Sequence, residues 1–177
     1  VALNGSTSYI ALPGADFGNY PSNGIYTTDY SASLATWFKT SQEGVIFAQT
    51  NGPTTPGGYV PGYVPALYID TGGLLRASLF NLVDAQQDVF FGSTTIDYNS
   101  APQIVSTAPY NDNQWHFAAL TYGNGTETLY VDGQPVGAQY GALQSGYSSN
   151  YGYYAGTGYT SQWAATNGSW DFLKGSL

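Results

Sequence analysis

Apolar side chains in this chain fall in short runs, alternating or continuous, and do not hold the i, i+3, i+4 spacing of an amphipathic helix beyond two turns. The runs are rich in Val, Ile, Thr, Tyr and Phe and are bounded by Gly, Asn and Pro, the pattern of β-strands closed by turns. It predicts strands over Thr7–Leu12, Ser31–Lys39, Val45–Thr50, Ala66–Asp70, Leu74–Phe80, Gln103–Thr107, Trp115–Tyr122, Glu127–Val131 and Gln134–Tyr140. Further strands are expected within Tyr151–Thr160 and Trp170–Leu177. About ten short strands at this spacing point to an antiparallel sandwich or barrel.

Turn chemistry is clearest between Trp115 and Val136. The run Trp115–Tyr122 is followed by Asn124-Gly125, residues suited to a type I′ turn because both central positions need positive φ. Thr126–Val131 then returns antiparallel with alternating polar and apolar side chains, and Asp132-Gly133 forms the next tight turn. A three-stranded meander follows from these two turns. Asn51–Pro65, with Tyr59-Val60-Pro61-Gly62 nearly repeated as Tyr63-Val64-Pro65-Ala66, reads as a proline-stiffened loop excluded from central ladders. Gly141–Gly168 is a low-complexity stretch of Tyr, Gly and Ser. No shift in composition divides the chain, so residues 1–177 are expected to form a single domain.

Charge narrows the partners. Charged residues make up 8% of the chain and the formal net charge is −8, with Lys39, Arg76 and Lys174 as the basic residues. Binding phosphates by counterion release requires several Lys or Arg in one patch, so nucleic acid and anionic membrane surfaces are excluded as partners. No apolar run is long enough for a spanning helix, so membrane insertion is not expected. The chain has no Cys, which removes disulfides and thiolate metal sites. An uncharged surface rich in Ser, Thr, Asn, Gln and Tyr suits contacts with sugars or with further copies of the chain.

The meander also carries a resemblance. Asn113-Gln114-Trp115-His116-Phe117-Ala118-Ala119-Leu120-Thr121-Tyr122, followed by Leu129-Tyr130-Val131-Asp132-Gly133, resembles the central signature of laminin-G-like, concanavalin A-like jelly rolls. Leu3–Leu12 resembles the opening hairpin of that family, Ser33–Lys39 its strand with a core Trp, and Phe172–Leu177 the start of its closing strand. The resemblance implies an all-β, antiparallel jelly-roll β-sandwich, with Trp37 and Trp115 buried and Trp170–Leu177 paired to the amino-terminal residues. The adjacent apolar pair Phe172 and Leu173 calls for a bulge near Lys174-Gly175. Because the family continues past the position of Leu177, its final strand is expected to be missing, leaving an open edge for self-association. Such domains work outside the cell or at its surface, and the fold hosts lectins, adhesion modules, hormone binders and glycosidases alike.

Catalytic chemistry finds little support in the residues. His116 is the single histidine, and the resemblance places it on a sheet strand beside a core Trp rather than in a Ser-His-Asp triad. Glycoside hydrolysis needs two facing carboxyl groups. Catalytic relatives carry a Glu-x-Asp-x-Glu strand, whereas this chain has Glu43 and Glu127, far apart in sequence and each beside a turn. Asp84 and Asp88 share a polar segment and read as a solvated face. Calcium remains a possible cofactor, since Asp16, Asp70, Asp84, Asp88, Asp97 and Asp112 lie in or near loops, without a spacing that selects a set. The candidate ligand-binding residues are Tyr147, Tyr151, Tyr153, Tyr154, Tyr159, Trp163 and Trp170, interleaved with Ser, Asn, Gln and Gly. Aromatic rings stack on the C–H faces of sugars while amides and hydroxyls meet their hydroxyl groups; the plainer alternative is core aromatics within a Gly-rich loop. The reading that follows is an extracellular, non-catalytic binding or adhesion module for glycan or an extracellular protein. The alternatives are a self-assembling subunit of an appendage, filament or surface layer and, more remotely, a glycosidase.

Overall fold

A computed structural model of the chain describes residues 1–12, 31–50, 63–78, 81–82, 103–124, 126–140, 143–144, 152–161 and 163–177. Two six-stranded antiparallel sheets make up most of it. The first sheet has the order β1 (Ala2–Asn4), β16 (Lys174–Ser176), β3 (Ala32–Thr40), β9 (His116–Gly123), β10 (Thr126–Val131), β11 (Gln134–Tyr140). The second has the order β2 (Ile10–Leu12), β13 (Gly152–Ala155), β4 (Gly44–Thr50), β5 (Tyr63–Ile69), β6 (Leu74–Ala77), β8 (Ile104–Pro109). Two short pairs complete it, β7 (Asn81–Leu82) with β12 (Leu143–Gln144) and β14 (Thr157–Tyr159) with β15 (Trp170–Phe172).

The core lies between the two large sheets, where Leu3, Phe38, Ala118, Leu120, Leu129 and Val131 of one meet Ile46, Leu67, Ile69, Leu75 and Ile104 of the other. Strands β4 and β5 are buried on both faces, which explains the unbroken apolar run Val45-Ile46-Phe47-Ala48. Their second face, formed by Val45, Ala48 and Tyr68, is covered by β14 and the residues after it. A Cβ at Gly158 would stand 2.6 Å from that of Ala48, and the Tyr68 hydroxyl donates to the Ala164 carbonyl at 2.8 Å.

The meander forms as the turns predict. Asn124 has φ 52°, and Gly123 pairs with Thr126. Asp132 and Gly133 have φ 51° and 79°, and Val131 pairs with Gln134. The loop expected over Asn51–Pro65 instead yields to β5 from Tyr63 onward. Pro65 is tolerated there because the ladder to β6 starts at Leu67 and the ladder to β4 shifts register between Phe47 and Gln49.

Burial of Trp37 and Trp115 is not observed: they are 57% and 49% exposed. Adjacent side chains on a strand point to opposite faces, and in β3 the inward place belongs to Phe38, which has no exposed area. Trp115 precedes β9, whose side chains turn alternately inward from His116.

The carboxyl-terminal residues pair with the amino-terminal strand, Leu3 opposite Gly175, and on the other side with β3, Gly175 opposite Thr40. The irregularity expected near Lys174-Gly175 falls at Leu173, which is fully buried at the break between β15 and β16. Phe172 thus ends the β14–β15 ladder, and Leu173 lies between the ladders. Among the described residues the edge next to the closing strand is the outer side of β1, as β16 is flanked on both sides; β11, β2 and β8 are the other edge strands of the two large sheets.

Candidate functional site

The aromatic residues singled out from the sequence divide among several environments. Tyr147 and Tyr151 lie outside the described residues. Tyr153 and Trp163, 6% and 2% exposed, are core residues, with the Tyr153 ring 6.0 Å from that of Phe47. Tyr154 points away from Tyr153 and meets Tyr9 edge-on at 5.8 Å. Tyr63, Tyr159 and Trp170 form a chain of edge contacts, with ring centroids 4.7 and 5.7 Å apart. Of the candidates, Trp170 borders a pocket.

That pocket, about 430 Å³ in volume, lies where the β3–β4 turn meets β15 and β16. Its lining combines the amides of Gln42 and Asn167, the carboxyls of Glu43 and Asp171, and the ammonium-bearing Lys174, with Trp170, Phe172 and Gly5 completing the wall. Thr40 secures the turn: its hydroxyl accepts from the Gln42 amide at 3.1 Å and lies 2.9 Å from the Lys174 carbonyl. On the far side, Asn4 Oδ1 accepts the amides of Ser6, Thr7 and Ser8, which shapes the bend at Gly5. Alternation along β15 sets Asp171 opposite to Trp170 and Phe172 and leaves it 6% exposed.

Burial, and after it the charge of Glu43, push the Asp171 carboxyl up to about 6, against hydrogen bonds from the Phe172 backbone and the Asn167 side chain that favour the anion. Sequence reasoning missed this pair. The two residues lie in distant segments, and only the pairing of the closing strand with β3 brings them into one pocket.

Several other charged groups among the described residues are engaged elsewhere. His116 lies between two carboxylates, with Nδ1 2.8 Å from Asp132 Oδ2 and Nε2 3.1 Å from Asp112 Oδ1. Its ring packs against Phe38 at 5.7 Å and Tyr110 at 4.9 Å. Burial alone would lower its pKa, but hydrogen bonds and charge from both aspartates outweigh it and raise the value. Both ring nitrogens are engaged by carboxylates, and among the described residues no serine stands in the place a triad would require of one of them.

Two of the aspartates considered for calcium have other partners. Asp70 accepts from the Gly72 and Leu74 amides and pairs with Arg76 at 2.7 Å. Asp112 accepts from the Gln114 amide at 2.8 Å in addition to His116. Asp16, Asp84, Asp88 and Asp97 lie outside the described residues. Among the described residues, no three His, Cys, Asp or Glu gather as a metal ion would require.

A family model described as the concanavalin A-like lectin/glucanases superfamily matches residues 4–176. No curated protein matches the chain in sequence. Among solved structures, domains LG4-5 of the mouse laminin α1 chain align over 99% of this chain with 13% identity and a TM-score of 0.51. This chain spans 37% of that laminin chain. The CBM40 of the Ruminococcus gnavus IT-sialidase, bound to α2,3-sialyllactose, aligns over 82% of this chain and 70% of its own, with 13% identity and a TM-score of 0.48. The heptameric SAP-like pentraxin of Limulus polyphemus aligns over 79% and 58%, with 15% identity and a TM-score of 0.42. At these identities the likeness is one of fold.

Proposed function

Because this chain belongs to the concanavalin A-like lectin/glucanases superfamily, we propose that it is a non-catalytic binding module that works outside the cell and recognises carbohydrate at the pocket beside β15. The pocket carries the reading. Its volume of about 430 Å³ falls within the range of small-molecule sites. Its lining includes Gln42, Asn167 and Glu43, whose side chains suit hydroxyl groups, with Trp170 at its wall. A glycan array, run with and without calcium, tests it. The expected result is binding to a defined set of short glycans that weakens in Gln42→Ala, at an exposed position whose loss leaves the melt unchanged. Absence of binding to any glycan on a broad array refutes the reading.

One observation favours a second reading. Glu43 and Asp171 are two carboxyl groups in one pocket, and Asp171 is held protonated to a higher pH than usual, as a glycosidase acid and its partner would be. Hydrolysis of chromogenic glycosides, abolished in Asp171→Asn and in Glu43→Gln, would establish catalysis. Binding without turnover supports the module.

A further inference from the structure

Strands β3, β9 and β10 lie side by side in the first sheet and present a common outward face. Trp37 stands on it, 57% exposed, directly across the ladder from Phe117, with ring centroids 5.3 Å apart. Tyr130 lies a diagonal step from Phe117, opposite Ala119. On the neighbouring β11, Tyr140 is 71% exposed. Between the rings stand Ala35 and Ala119, too small to rise above them, and the hydroxyls of Ser33, Thr121 and Thr128.

Lys39 is the one charged side chain at the outward positions of these three strands, and Glu127 of β10 turns inward and is buried. A chain with 11 acidic and 3 basic residues thus keeps an aromatic face on which these three strands place a single charge, that of Lys39. The Trp37–Phe117 cross-strand pair supports the sheet, but sheet stability alone does not account for leaving aromatic rings open to water beside one another.

We infer that this face is a second carbohydrate-contact surface, a flat one on which an extended, uncharged polysaccharide lies across β3, β9 and β10. The rings meet the C–H faces of the sugar units and the interleaved hydroxyls meet their edges. The scarcity of charge on the face, where Lys39 stands alone, selects the occupant. A polyanion or polycation finds no array of counter-charges there, and a second copy of the chain brings its own net charge of −8. The inference rests on the carbohydrate reading above and adds a surface for polymers to a pocket sized for short ligands.

Electrophoresis of the full chain through gels containing hydroxyethylcellulose, galactomannan or arabinoxylan tests the inference, with carboxymethylcellulose as the charged control. The expected result is retardation by a neutral polymer and not by the charged one. Trp37→Ala should weaken it about tenfold or more, Trp37→Tyr should restore most of it, and Gln42→Ala should leave it unchanged. A cooperative melt for Trp37→Ala within a few degrees of the parent shows that unfolding is not the cause. Retardation of Trp37→Ala equal to the parent overturns the inference, as does loss of retardation only in Gln42→Ala. A parent dimer that Trp37→Ala dissolves, seen by light scattering, assigns the face to a second copy and overturns it too. Glycan-array binding by a parent that no neutral polymer retards removes this surface and leaves the pocket reading standing.

Discussion

Asp171→Asn should make this protein more stable at neutral pH. The wild-type carboxyl is buried beside Glu43 and titrates near 6 in place of its usual 3.8. The folded state therefore binds this proton more tightly than the unfolded state, so stability falls as pH rises from about 4 to about 6 and stays reduced above that. At about 1.36 kcal/mol for each pH unit, the displacement corresponds to about 3 kcal/mol. Asparagine carries no charge and keeps one carbonyl acceptor, but it loses part of the bonding to the Phe172 and Asn167 donors. The expected net gain at pH 7.5 is about 1–3 kcal/mol, at roughly 2–4 °C of Tm for each kcal/mol in a chain of this size. At pH 3.5 the variant and parent should melt together, because both then carry a neutral group at this position. Paired melts across this range are the assay. A stability difference that does not change between pH 3.5 and 7.5, or a variant less stable at pH 7.5, would refute the electrostatic argument. A protein that keeps such a destabilising carboxyl facing a pocket fits the trade of stability for function common at binding sites.

The His116 clip has the opposite chemistry but the same sense: its pKa is raised by two carboxylates, so its contribution is full below about 6.5 and is lost as pH rises through the folded value. His116→Gln should cost about 1 kcal/mol at pH 5.5 in denaturant melts, with the deficit shrinking in alkali. Phe38→Ala, at a fully buried site, should cost about 3–5 kcal/mol, whereas Trp37→Ala should cost about 1 kcal/mol, the worth of its pair with Phe117; equal losses in thermal melts would reverse the two assignments. In Gly175→Ala the new Cβ would lie within 2.0 Å of the Lys39 carbonyl oxygen, so a loss of about 3 kcal/mol or more is expected by denaturant titration.

Local chemistry made the meander legible, because Asn124, Asp132 and Gly133 each meet a positive φ that few other residues accept. The strand pattern was legible as well, whereas the pairing of the chain's two ends was implied by the family resemblance. Misplacement of Trp37 came from letting residue type outrank parity. Lys39 shares its face and Phe38 does not, and both were visible in the sequence. The aromatic run was misleading as a single surface because alternation divides it: Tyr153 faces the core and Tyr154 the opposite side. The Glu43–Asp171 pair left no local trace, since its neighbourhood is made by strand pairing between distant segments. His116 was placed on its strand correctly, but Asp112 and Asp132 flank it only once the turn at Asp132 has closed.

The strand order has a consequence for how the molecule assembles. Among the described residues, β1 touches the rest of its sheet only through β16, and β2 only through β13. Strands β1 and β2 therefore have no ladder partners among the described residues until residues 152–176 have followed them out of a ribosome. Both sheets are closed by contacts between the two extremes of the chain, the kind of pairing that carries the largest loop-closure entropy and forms slowly. A nascent chain halted short of residue 174 can build the β9–β10–β11 meander, whose ladders are local, but it must hold Leu3 and the Phe38 side of the core uncovered. Release from that waiting state comes when β16 has been synthesised, and until then the exposed edges are where misassembly would begin.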